Sequence, residues 1–154
     1  MNVVLGVGGG IAAYKAAELA RALMERGCQV QPVMTAAARQ FITPLTFAAL
    51  TNHKVITDLF GDRTADEVLA SSVEHIRVAQ ENEVLVVAPA TADLLARFAC
   101  GLANDFLTTL FLAFQGKVIL APAMNSNMWE HPAVRANVET LRSRSAGGHD
   151  CELY

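Results

Sequence analysis

Residues 2–27, NVVLGVGGGIAAYKAAELARALMERG, decide how the rest of the chain is read. Asn2–Val7 is a short β-branched run that ends in glycines, the pattern of a buried parallel strand. Ala12, Ala16, Leu19, Ala20 and Leu23 then recur at helical spacing, and Gly27 after Arg26 is a helix stop. A strand, a glycine turn and a helix in that order open a βα unit. Working outward, the same alternation continues to the far end of the chain.

Val30–Met34 reads as a second strand, with Pro32 placing it at an edge or a strand end. Thr35–Gln40 and Pro44–Leu50 read as helical, Val55–Thr57 as a short strand, and Asp58–Ser72 as a polar surface excursion. Val84–Ala88 (VLVVA) is a further buried strand. Thr91–Ala99 and Asn104–Phe114 follow as helices, with Asn104 as the expected N-cap. Val118–Ala121 is another strand and Pro132–Arg144 another helix. Strands that are nearly continuously apolar, alternating with helices, imply a parallel sheet covered on both faces. The expected fold is a doubly wound, Rossmann-like α/β domain over residues 1–145. The remaining residues, 146–154, suggest neither helix nor strand.

The 154 residues are 53% apolar and 18% charged, against a typical ~25% charged. That excludes a disordered chain, and the shortage of charge suggests surface buried in an oligomer. No apolar run approaches the ~20 residues that span a bilayer, and MNVVLGVGGG carries no signal-peptide features. With a net charge of −3 and no basic block, nucleic acid is not an expected partner. Cys28, Cys100 and Cys151 form no CxxC and fit a reducing, cytoplasmic setting. His53, His75, His131 and His149 show no metal-ligand spacing, so no metal is expected.

In such sheets, ligands bind beyond the carboxyl ends of the strands, and three of those ends are unusual. At the first, Gly8-Gly9-Gly10-Ile11 precedes a helix, where free N–H groups and the helix dipole suit a phosphate. A tight βα turn explains one or two glycines but not three. The pattern Gly8-x-Gly10-x-x-Ala13 fits a permissive dinucleotide motif. The ribose-binding acid expected ~20 residues later is missing, however: Val30–Ala38 holds no acid and runs through Met34-Thr35-Ala36-Ala37. That leans towards a mononucleotide such as FMN.

The second strand end, Ala88-Pro89-Ala90-Thr91-Ala92-Asp93, leaves room for a planar ligand, with Thr91 and Asp93 as polar contacts or as simple helix caps. The third, Ala121-Pro122-Ala123-Met124-Asn125-Ser126-Asn127-Met128-Trp129, gathers soft methionines, amides and the only tryptophan. Asn125 there can grip a carboxylate or amide, with Met124 and Met128 beside it; the plainer reading is a capped helix start. His75, ahead of the VLVVA strand, is either a proton-transfer residue or an ordinary half-buried histidine.

Six segments in order resemble the homo-oligomeric FMN-containing cysteine decarboxylases: GVGGGIAAYK (6–15), MTAAARQFITPLTF (34–47), HI (75–76), VVAPATADLLAR (86–97), GLANDF (101–106) and PAMNSNMWEHPAV (122–134). The resemblance implies FMN contacts at Gly9, Gly10, Ile11, Thr35, Ala36, Ala37, Thr91, Ala92, Asp93, Leu94 and Ala123. It implies a catalytic role for His75 and substrate binding by Asn125, with Met124 and Met128 nearby. It also implies a homotrimer or a higher multiple such as a dodecamer, with the flavin near a subunit interface.

The implied reaction is decarboxylation of a cysteinyl carboxylate in coenzyme A biosynthesis, on 4′-phosphopantothenoylcysteine. A peptidyl-cysteine substrate or a non-catalytic flavin-binding subunit are the alternatives. Hydride loss from the cysteinyl β-carbon gives a thioaldehyde, which acts as the electron sink for loss of CO₂. Two departures from the family stand out. Gly8 replaces a usual Ser or Thr, and SAGGHDCELY (145–154) lacks the family's flap motif with its reducing-step cysteine. Residues 146–154 therefore read as the start of a cut-short substrate flap, with an impaired final reduction as the consequence.

Overall fold

The computed structural model describes residues 1–59, 73–145 and 151–154. Five strands, β1 (Asn2–Val7), β2 (Gln29–Met34), β3 (Val84–Ala90), β4 (Lys117–Pro122) and β5 (Cys151–Leu153), form one parallel sheet in the order β2-β1-β3-β4-β5. The helices are α1 (Ala13–Glu25), α2 (Pro44–Thr51), α3 (Glu74–Glu81), α4 (Ala92–Cys100), α5 (Phe106–Ala113), α6 (Ser126–Glu130) and α7 (Pro132–Ser145).

Alternate strand residues feed two separate cores. Val3, Leu5, Val7, Met34 and Val86 pack with Ala13, Ala16 and Ala20 of α1 and Phe47 of α2. Val4, Leu85, Val87, Val118 and Leu120 pack on the other side with α3, α4, α5 and α7, through residues such as Phe98, Phe106, Leu110 and Leu141. The central strands β1 and β3 bury both faces, which is why their sequences read as apolar runs and not as alternations. The doubly wound expectation holds.

Local signals fare unevenly. Gly27 ends α1 with φ 79°, its N–H bonding Met24 O while Cys28 N bonds Leu23 O, the left-handed stop that glycine accepts without penalty. Pro32 lies in the edge strand as expected, and its carbonyl accepts from Ile56 N on the outer side. Ile56 makes only a single bridge to Val33, so the expected strand at Val55–Thr57 shrinks to that contact. In Thr35–Gln40 only Ala38–Gln40 is helical, as one 3₁₀ turn. Most of the expected surface excursion, residues 60–72, lies outside the described residues.

Two expectations need correction. The cap of α5 is Asp105, not Asn104: the Asp105 carboxylate accepts from Thr108 N at 2.8 Å, while the Asn104 side chain is engaged elsewhere by Arg97. The tail is also not wholly irregular, since Cys151–Leu153 add β5 to the sheet beside β4. Cys151 is buried, Tyr154 N donates to Leu120 O at 3.0 Å, and Glu152 accepts from Lys117 Nζ at 2.7 Å. The polar look of CELY reflects these tertiary partners.

Candidate active site

Strand order reverses between β1 and β3, and this is the switch point where open α/β sheets bind ligands. The glycine loop leaves β1 here and Thr91 leaves β3. A cavity of about 1110 Å³ opens over these ends, lined by Gly9, Thr35, Ala36, Ala37, Thr91, Ala92, Asp93, Leu94 and Met128, among others. Nine of the residues singled out in the sequence therefore share one cavity, although they come from four separate segments.

The glycine loop is built for close approach. A Cβ on Gly8 would lie 2.3 Å from the Pro89 carbonyl oxygen, which accepts a hydrogen bond from Gly8 N at 3.1 Å. Gly8 thus ties the loop to the end of β3, and a serine or threonine would not fit in this arrangement. Beyond it, the N–H groups of Gly9, Gly10, Ile11 and Ala12 have no protein acceptor among the described residues. The α1 N-cap, Ala12, has no side-chain cap either. Four unspent donors at the positive end of a 13-residue helix fit an anionic group such as a phosphate.

Thr35 lines the cavity, but its hydroxyl is engaged by the backbone. It is buried; its hydroxyl donates to Val7 O and accepts from Ala38 N, joining the ends of β1 and β2. Thr91 is the N-cap of α4, accepting from Leu94 N at 3.2 Å, which leaves its hydroxyl proton available. Asp93 forms an ion pair with Arg97 at 2.8 Å.

The remaining expected residues do not line the cavity. Gly10 lies beside Thr91, and Ile11 is 84% exposed at the start of α1. Ala123 N donates to Ala90 O, bridging the ends of β3 and β4, and Met124 packs half-buried on the core. Asn125 caps α6, its Oδ1 accepting from Asn127 N at 2.8 Å. Because the oxygen is spent in the cap, the amide NH₂ is what Asn125 can offer a ligand. His75 is the second residue of α3; its Nδ1 is buried with no hydrogen-bond partner among the described residues. A buried polar atom without a partner is costly unless a ligand or neighbouring subunit supplies one.

The cavity also includes residues the sequence reading passed over: Thr57, Asp58, Leu59, Arg97, Asn104 and Asp105. The Asp93/Arg97 spacing of four on a helix was a readable signal. The approach of Asn104 to Arg97 across a helix corner was not.

The Flavoprotein family pattern matches residues 1–148. The chain belongs to the Flavoprotein family. Curated relatives of this flavoprotein include the coenzyme A biosynthesis bifunctional protein CoaBC of Vibrio cholerae, 49% identical over 143 residues, covering 93% of this chain and 35% of the relative. The CoaBC protein of Bacillus subtilis is 44% identical over 140 residues, covering 91% and 33%. The flavoprotein thus spans about a third of the length of these relatives.

Among solved structures, the FMN-dependent cysteine decarboxylase SpaF superposes with a TM-score of 0.84 at 33% identity, covering 99% of this chain and 83% of SpaF. A PPC decarboxylase variant complexed with pantothenoylaminoethenethiol gives 0.79 at 27% identity, covering 99% and 80%. The five-stranded parallel sheet described above is therefore the fold of the FMN-dependent cysteine decarboxylases. Among the described residues no helix is long and apolar enough to cross a membrane. No group of three or more His, Cys, Asp or Glu among them is placed to hold a metal ion.

Proposed function

We propose that this chain binds FMN in the switch-point cavity and decarboxylates 4′-phosphopantothenoylcysteine to 4′-phosphopantetheine in coenzyme A biosynthesis. The observation that carries the reading is the row of unspent N–H donors that starts at Gly9, on the cavity wall, and runs to Ala12. The 44–49% identity to CoaBC proteins supports this substrate over a peptide.

FMN, when bound, would supply the hydride acceptor that creates the electron sink a simple aliphatic carboxylate lacks. The β-carbon gives up its hydride and the thiol its proton, so a thioaldehyde forms. The carbon–carbon bond to CO₂ then breaks and its electron pair is taken up as an enethiolate. Return of the hydride to the sulfur-bearing carbon and of one proton to its neighbour gives the saturated thiolate, and a second proton gives the thiol.

The protein's own groups bind and orient. The glycine loop and the first turn of α1 hold the cofactor phosphate, and the Asn125 NH₂ donates to the substrate carboxylate or amide. His75, with its unpartnered Nδ1, handles a proton or positions the flavin during the oxidative half. Met128, on the cavity wall, packs against the substrate. Residues 1–145 together with the edge strand β5 form the decarboxylase domain.

A homotrimer or a multiple of it completes the reading. Ile11 and Leu45 are 84% and 75% exposed, and Tyr14 and Phe41 are also largely exposed. All four lie on or beside α1 and α2, which pack together, and apolar side chains left exposed there suit a second copy of the chain.

The purified protein is incubated with 4′-phosphopantothenoylcysteine and, separately, with a peptide ending in cysteine. The expected result is CO₂ release with the first substrate alone, the product mass being lower by CO₂ for the saturated thiol and by CO₂ and two hydrogens for an enethiol left by an impaired final reduction. Turnover of the peptide alone would transfer the reading to the peptidyl-cysteine branch. A folded, flavin-loaded protein inactive on both would leave a binding subunit.

A further inference from the structure

Arg97 lies in the second half of α4 and lines the same cavity as Gly9 and Thr91. Its guanidinium is held on two sides. Nε donates to Asp93 Oδ2 at 2.8 Å, one turn back on the same helix. Nη1 donates to Asn104 Oδ1 at 2.8 Å, across the corner between α4 and α5, and lies 3.9 Å from Asp105 Oδ2. A guanidinium has donors and no acceptor, so only the oxygen of the Asn104 amide can face it. The NH₂ of Asn104 is thereby turned away from Arg97, and it has no protein partner among the described residues. Asn104 lines the cavity as well. Asp105, its neighbour, is spent on the cap of α5.

The position along α4 says which part of a ligand these groups meet. Thr91, at the start of the helix, stands against the glycine loop, its Cγ2 3.7 Å from where a Gly10 Cβ would be. Arg97 is six residues further on, roughly 9 Å at the 1.5 Å rise of a helix. Because Gly9, Arg97 and Asn104 line one cavity, a cofactor whose phosphate sits on the loop has the Arg97–Asn104 end within reach of its ring system.

We propose that Asn104 is a cofactor-binding residue whose NH₂ donates to a carbonyl or ring-nitrogen acceptor of the isoalloxazine. Arg97 is the positioning residue that locks the amide in the donating orientation. The proposal rests on the switch-point cavity being the FMN site. Reduction of the flavin places negative charge on its acceptor-bearing ring. A neutral donor there favours the reduced form, as an enzyme that takes up a substrate hydride requires.

Asn104→Asp is the sharpest variant. It keeps an oxygen for Arg97, removes the NH₂, and turns a carboxylate towards the flavin. In the folded holoprotein the midpoint potential, measured by dye equilibration, moves to more negative values. The FMN Kd, measured by fluorescence titration of the apoprotein, rises at least tenfold. Should this variant retain no flavin, Asn104→Ser carries the same potential measurement with a neutral side chain. Arg97→Lys keeps the charge but loses the planar fork, and shifts the potential in the same direction.

A folded Asn104 variant with unchanged potential overturns the proposal, even if its FMN affinity falls, because a merely structural role or a phosphate contact would leave the potential in place. The potential and the FMN Kd are both read without substrate. A wild-type protein that binds FMN but ignores 4′-phosphopantothenoylcysteine would therefore refute the proposed function and leave this inference standing.

Discussion

Gly9 approaches Ala37 so closely that a Cβ built on the glycine would lie 2.3 Å from the Ala37 methyl carbon and 2.6 Å from its carbonyl carbon. The loops after β1 and β2 are thus in direct contact at the mouth of the cavity. The residue next to Gly9 is far freer, since a Cβ on Gly10 meets nothing nearer than Thr91 Cγ2 at 3.7 Å. Two adjacent glycines therefore make a controlled comparison. Gly9→Ala must push the loop away from Ala37, an overpacking that costs about 1–3 kcal/mol. If that strain falls on the bound geometry, FMN affinity drops by roughly tenfold or more, at 1.4 kcal/mol per factor of ten. Gly10→Ala adds a methyl at ordinary contact distance and leaves affinity within a few-fold of wild type. Fluorescence titration of the two apoproteins with FMN checks the contrast, and equal losses would contradict it.

The roles proposed for His75 and Asn125 are separable by one variant of each. His75→Asn is expected to bind FMN normally but to show no bleaching of the flavin absorbance when substrate is added anaerobically. Asn125→Asp probes binding without disturbing the fold, because aspartate is as good an N-cap as asparagine and can still accept from Asn127 N. It sets a carboxylate against the substrate's own. Losing a hydrogen bond to a charged group costs ~1.5–3 kcal/mol, and like-charge repulsion adds to it. Turnover should fall more than tenfold with the flavin spectrum unchanged. A variant that retains wild-type KM and kcat would remove Asn125 from the substrate site.

Leu45 tests the assembly. It is 75% exposed at the start of α2, with its side chain outside both cores. Leu45→Glu should leave the monomer's fold intact, since surface substitutions rarely cost more than ~0.5 kcal/mol. Buried in a subunit interface, the same charge would be strongly unfavourable. Light scattering is expected to report a trimer or its multiple for wild type and smaller species for the variant. A wild-type monomer with flavin bound would reject the interface outright.

The fold was legible because its signals are local. Gly27 stops a helix wherever it stands, and VLVVA is buried on both faces because helices cover both sides of the sheet. Thr91 was readable as a cap, a ligand contact or both from its position after a strand. What escaped notice depends on residues distant in sequence. Asn104 looked like the cap of α5 until Arg97 took its oxygen and left capping to Asp105. Glu152 looked like part of a polar end until Lys117, 35 positions earlier, gave it a partner in the sheet. Nor could the sequence show that Thr35, a hydroxyl beside a glycine loop, spends itself on Val7 O and Ala38 N.

The edge of the sheet carries the last prediction. Glu152 of β5 accepts from Lys117 Nζ at 2.7 Å and from the Tyr154 hydroxyl. The lysine hydrogen bond first, and the tyrosine second, hold the Glu152 carboxyl below its ordinary value. The sign follows from linkage: a carboxyl whose value is depressed in the folded state stabilises that state when ionised. The contribution is fully present above the ordinary carboxylate range, near ~4.3, and is lost as pH falls through the lowered folded value. β5 has only three residues, and Tyr154 N donates to Leu120 O just beyond it, so that amide reports its docking. Hydrogen exchange at Tyr154, corrected for the intrinsic pH dependence, is expected to lose protection as pH drops below the carboxylate range. Glu152→Gln should flatten that dependence and lower protection at neutral pH. Protection that stays constant in wild type through the same range would show that backbone pairing, and not the Lys117–Glu152 contact, holds the strand.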